Sequence, residues 1–152
     1  MTRGTFIGIA RDTPEKFQSS IKVPETITHK KRLSIDKGAI TDLEEFLDKI
    51  SPLKEANKLG AVLIRLPPSF TVDEFIDIEG FLDRLPRLNS TNQYYQYAIE
   101  FKHPSWNTEG PMGNAKAIQY CRSNHRFTCK RKFTILIKYY SNCGSFICEI
   151  SW

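Results

Sequence analysis

The chain has no apolar run approaching the roughly 20 residues that cross a bilayer, and its N-terminus has no secretory core. A cytoplasmic protein without a membrane span is the expectation. Metal ligands are scarce: there are three histidines, no Cys-x-x-Cys pair and no helical two-histidine zinc signature. Cysteine is absent before residue 121, and Cys121, Cys129, Cys143 and Cys148 have spacings that match no metal site. Gly4 and Gly8 precede no strand–helix turn, which argues against a glycine-rich phosphate loop. Internal repeats and low-complexity tracts are missing too. Length sets a further limit. The 152 residues suffice for one domain with a real core, but a closed eight-stranded β/α barrel takes roughly 250.

What is present is a repeated pattern of short apolar strand, then charge, then proline. It occurs at residues 17–24 (FQSSIKVP), 61–68 (AVLIRLPP) and 97–106 (YAIEFKHPSW). Helical spans separate the three. Thr41 and Glu44 have capping-box spacing ahead of Leu43, Phe46, Leu47 and Ile50 on one helix face. Pro52 is expected to end or kink that helix, and Leu59-Gly60 to cap it. Thr71 and Glu74 repeat the box ahead of Phe75, Ile78, Leu82 and Leu85, and Pro86 terminates the span. Residues 1–10 show no supported element, and residues 28–33 (THKKRL) read as a basic loop. The fold class is α/β: an incomplete (β/α)8 TIM-barrel-like arrangement of parallel strands, with polar groups at the strands' C-terminal ends.

Charge divides the chain. Residues 1–106 carry 15 Lys+Arg against 15 Asp+Glu, whereas residues 107–152 carry 7 against 2. Helical periodicity also weakens there, leaving only residues 133–140 and 145–152 strand-like. The division expected is an irregular start (1–11), a partial barrel (12–106) and an atypical basic, Cys-containing tail (107–152).

Strand ends supply the candidate site. Glu100 is a candidate general base, against a carboxylate paired with Lys102, Arg65 or Lys22 to hold strand ends together. His103 is a candidate for proton transfer or metal ligation, against a hydrogen-bonded loop histidine. Lys22, His29, Arg32 and Arg65, with Lys102, are the ligand-binding candidates, an electropositive mouth that takes a phosphate or carboxylate, with Lys30 and Lys31 read as solvated. Trp106, Tyr94, Tyr95 and Tyr97 are read as packing rather than as a stacking platform for a base or sugar.

The motifs Lys22-Val23-Pro24, Thr28-His29, Arg32-Leu33, Leu66-Pro67-Pro68-Ser69-Phe70 and Glu100-Phe101-Lys102-His103-Pro104-Ser105-Trp106 occur in that order. On them, the chain resembles the YecE-like family, also called domain of unknown function 72, over about residues 12–106. The resemblance implies a (β/α)8-barrel-like protein of about twice this length with no settled activity, the three strands being its third to fifth. Lys102 stands where the family usually has Arg, so the charge is kept and the bidentate fork is lost. The complete relatives look like barrel enzymes for a small anionic or phosphorylated substrate. A nucleic-acid- or protein-binding module is the alternative.

No cofactor is specified. An open barrel predicts self-association. Read one nucleotide later through permitted codons, residues 112 onward give WEMLKQYNIAVV, a helix followed by a strand. The tail is therefore also expected to be a frameshifted readout and the chain a truncated, inactive copy.

Overall fold

The computed structural model describes residues 1–85 and 95–107, together with the backbone of two short strands at 127–130 and 134–137. The elements run α1 (Arg3–Asp12), β1 (Ser19–Lys22), a π-helical turn (Thr26–Lys30), α2 (Ala39–Glu55), β2 (Leu59–Arg65), a 3-10 turn (Val72–Glu74) and α3 (Phe75–Asp83). Then come β3 (Tyr97–Glu100), a second 3-10 turn (Pro104–Asn107), β4 (Phe127–Lys130) and β5 (Thr134–Ile137). The sheet order is β1-β2-β3-β5-β4.

The first three strands are parallel neighbours, as the β/α pattern requires. Beyond β3 the barrel progression stops, because β5 pairs antiparallel to β3 and β4 antiparallel to β5. The sheet is open, with β1 and β4 at its edges. The expected strand at 133–140 is present as β5. The one at 145–152, the polar connector around 89–93, Pro86, Tyr94, Cys121, Cys143 and Cys148 lie outside the described residues.

One face of the sheet makes the core. Val62, Ile64 and Leu66 alternate along β2 and its end, all essentially inaccessible, with Tyr97 and Ile99 beside them on β3. Strand alternation puts these on one side. Leu43, Phe46, Leu47, Ile50 and Leu53 of α2, at helical spacing, join that cluster, as do Ile78, Phe81 and Leu82 of α3. On the opposite face the register aligns Lys22 with Leu63, Leu63 with Ala98, and Arg65 with Glu100. That face is half-open and ends in charge.

Several local expectations give way to tertiary contacts. Residues 3–12 form a helix, not an irregular start: Thr2 caps it, and buried Lys58 donates from Nζ to the Ala10 and Thr13 carbonyls at 2.6 Å each, closing its C-terminus. The α2 helix starts at Ala39, ahead of the Thr41–Glu44 box. Its N-cap is Gly38, in the left-handed region at φ 72°, with Lys31 Nζ on the Gly38 carbonyl and on Asp42.

Pro52 does not end this helix. It lies inside the last turns and cannot donate to the Asp48 carbonyl four residues back. Arg3 supplies that missing donor, at 2.8 Å to the carbonyl and 3.0 Å to the carboxylate. The helix closes instead on Asn57, at φ 55°, with Lys58 N–H on the Leu53 carbonyl and Asn57 N–H on Lys54. Leu59-Gly60, expected as that cap, opens β2. The Thr71–Glu74 capping box forms as read.

Candidate functional site

The three parallel strands deliver their ionisable ends to one edge of the sheet. Arg65 and Glu100 are register partners, and Arg65 Nε donates to Glu100 Oε2 at 2.7 Å. Of the partners anticipated for Glu100, Arg65 is the one it has. No described residue accepts from the remaining guanidinium nitrogens of Arg65. Lys22 stands one pleat earlier, opposite Leu63, and pairs with Glu25 at 2.9 Å. Glu25 is exposed; the Lys22 hydrogen bond, then the charges of Lys22 and His29, hold its carboxyl below the usual range. Lys102 is exposed and makes no ion pair with a described residue.

The segment after β1 is not a simple basic loop. Residues 26–30 make one π turn, closed by Lys31 N–H on the Thr26 carbonyl at 2.9 Å, a geometry that recurs at functional sites. His29 sits on it, with Nδ1 2.8 Å from the hydroxyl of buried Thr28. Arg32 and Leu33 follow at φ 49° and 59°, two consecutive non-glycine residues in the left-handed region.

That conformation turns Arg32 toward the β2–α3 loop, where both Glu74 oxygens, the Ser69 hydroxyl and the Ser69 carbonyl accept from it. Its guanidinium also lies 5.1 Å over the Phe70 ring. The Glu74 hydrogen bond raises the Arg32 pKa, and the same bond is the largest cause holding the Glu74 carboxyl below its ordinary value. Lys31 is engaged as well, with Asp42 at 2.8 Å. Of the 30–32 run, Lys30 alone is exposed.

His103 leaves β3 in a tight turn. Its Nδ1 accepts the Ser105 N–H at 3.1 Å and lies 2.8 Å from the Ser105 hydroxyl, whose oxygen accepts the Val72 N–H at 3.0 Å. The next residue, Trp106, is fully buried. Its indole N–H donates to the Phe70 carbonyl at 2.8 Å, and its ring packs on Phe70 and Phe101. Tyr95 and Tyr97 are buried too, so the aromatic residues described form packing.

Sequence reasoning missed Glu74 as the Arg32 partner, Ser69 and Ser105, although all three lie in motifs it singled out. No group of three or more His, Cys, Asp or Glu that would hold a metal occurs among the described residues, and none of their helices is long and apolar enough to cross a membrane. A cavity of about 490 Å³ opens between α1, β1 and α2, with Phe6, Ile21, Ile27 and Phe46 against Lys22 and Asp42. It includes neither Arg65 nor Glu100.

The profile of the family described as "Protein of unknown function DUF72" matches residues 1–129. The chain belongs to the DUF72 family. The match takes in α1 and continues past Trp106, so it is wider than the motif-based resemblance at both ends. The DUF72 protein of Thermotoga maritima has a similar solved structure, at 26% identity and a TM-score of 0.56 over 80% of this chain and 42% of that one. A DUF72 protein of Enterococcus faecalis aligns at 22% identity with a TM-score of 0.55, covering 82% of this chain and 43% of its own; that likeness shows the fold. The chain spans less than half the length of these DUF72 structures. No curated protein matches it.

Proposed function

We propose that this DUF72 chain contributes one side of a barrel mouth that binds a small anionic or phosphorylated molecule. Arg65 and Lys22 attract the anion, with Lys102 at the rim, and Glu100 and His103 serve proton transfer. The observation that carries the reading is the Arg65–Glu100 pair. It sits at the strand ends of the half-open sheet face and is joined by a single hydrogen bond, with guanidinium nitrogens to spare. A bidentate guanidinium–oxyanion contact is the interaction such a group makes well. The test is calorimetric titration of the purified chain with inorganic phosphate. Saturable binding, weakened about tenfold or more in Arg65→Gln, is expected; absence of binding retires the reading.

Nucleic-acid recognition through the 30–32 run has less support, since Arg32 and Lys31 already hold carboxylates. The open edge at β1 favours association between copies through unpaired strand groups, checked by concentration-dependent sedimentation. A change of reading frame within the tail fits the altered charge balance after Trp106, although the family match extends to residue 129. Sequencing the coding DNA decides it: an alternative frame full of stop codons sinks the idea.

A further inference from the structure

Resting on the anion-binding reading, we infer that Ser105 is a positioning residue that locks His103 with its proton on Nε2, so that the imidazole offers a fixed N–H donor to the anion. Nδ1 decides the tautomer. A backbone N–H can only donate, and Ser105 N–H points at His103 Nδ1 at 3.1 Å. Nδ1 is therefore the acceptor nitrogen, and the proton of the neutral ring sits on Nε2.

The hydroxyl of Ser105 reinforces this. Its oxygen accepts the Val72 N–H at 3.0 Å and lies 2.8 Å from Nδ1, which, being the acceptor of the backbone N–H, has no proton to give and so takes the hydroxyl's. The Val72 amide belongs to the β2–α3 loop, so the ring is referenced to β2 as well as to β3. Free histidines choose between tautomers; this one is held by two donors on one nitrogen. No described residue takes the Nε2 proton. A half-buried ring just past the end of β3, with its N–H fixed on Nε2, is suited to an oxyanion.

Asparagine provides the discriminating substitution. In His103→Asn the amide oxygen can still accept the Ser105 N–H, as Asx turns do, but nothing replaces the Nε2 donor. His103→Gln places an amide N–H nearer the Nε2 position. Long-range proton–nitrogen correlation spectra of the full-length, nitrogen-15-labelled chain in mildly alkaline buffer read the tautomer directly, with the His103 signals identified by their loss in His103→Asn.

Expected are a single Nε2–H form in the wild type and, in Ser105→Ala, which keeps the backbone N–H on Nδ1 and loses only the hydroxyl donor, a dominant Nε2–H form with a measurable Nδ1–H minority. For inorganic phosphate, affinity should fall about tenfold in His103→Asn, with partial recovery in His103→Gln and unchanged melting in both. A wild-type spectrum showing Nδ1–H or a mixture overturns the lock. A His103→Asn chain that binds phosphate like wild type overturns the donor role and leaves the Arg65–Glu100 reading standing. A wild type that shows the Nε2–H form yet binds no phosphate retires the anion reading, and the donor role with it.

Discussion

Two arginine–glutamate pairs stand near the same end of the sheet, and they differ in how many of their hydrogen bonds are already used. Arg32 grips Glu74 with two nitrogens, reaches Ser69 twice and lies on Phe70. Arg65 touches Glu100 once. The first pair joins segments 42 residues apart in sequence and has little donor capacity left. The second joins neighbouring strands in register and, among the described residues, has donors without an acceptor. Charge at a strand end nominated Arg65 for ligand binding, and charge in the basic segment 28–33 nominated Arg32. The geometry separates them: Arg32 works as a clamp between the β1–α2 and β2–α3 loops, whereas among the described residues Arg65 has Glu100 as its side-chain partner, which leaves donors for the anion proposed above.

The largest effect that can break this contrast comes from beneath the clamp. Trp106→Ala removes a fully buried ring that packs on Phe70 and Phe101 and holds the Phe70 carbonyl. A loss of about 3–5 kcal/mol is expected, read by chemical denaturation. If the loss is near zero, the loop platform is not held from the core.

Next comes the clamp itself. Arg32→Lys keeps the charge but loses the fork, and should cost about 1–3 kcal/mol. Its pH dependence follows from Glu74, whose carboxyl is held low chiefly by the Arg32 hydrogen bond. A depressed folded-state pKa means stability that is fully present above the ordinary carboxylate value. It is lost as pH falls through that value and on through the lower folded-state one. Glu74→Gln should flatten this acid limb of the stability curve; an unchanged limb would put its origin elsewhere. Smallest is Arg65→Gln, expected to shift stability by about 1 kcal/mol or less while weakening phosphate binding about tenfold or more. A stability loss matching that of Arg32→Lys would collapse the distinction between the pairs.

The strands and their parallel order were legible because buried strands announce themselves as short apolar runs stopped by Pro24, Pro67 and Pro104. Charge at the strand ends was legible for the same reason: Lys22, Arg65 and Glu100 interrupt those runs. The α1 helix was not, since little in RGTFIGIARD favours a helix on its own, and its ends are secured by Thr2 and by Lys58 from far along the chain. The start of α2 was missed because its cap is a left-handed glycine held by Lys31 instead of a side-chain oxygen. Glu74 illustrates the limit best. Its local role in a capping box was visible, while its larger role lies with a residue on another loop, which spacing cannot reveal.

The replacement of a helical N–H by Arg3 at the Asp48 carbonyl makes the tolerance of two distant positions conditional on each other. Proline at 52 stiffens the unfolded chain, but inside the helix it abandons the Asp48 carbonyl and crowds it, and Arg3 offsets the first of these costs. A sequence that acquired the proline before the arginine would have borne an unmet acceptor at an exposed helix surface, where water can stand in. One that later loses α1 keeps the proline but gives up the tether that joins the two helices. In Pro52→Ala the restored N–H competes with the guanidinium for the carbonyl, and Arg3 keeps only its contact with the Asp48 carboxylate. The history of substitutions at either site is therefore not readable from that site alone.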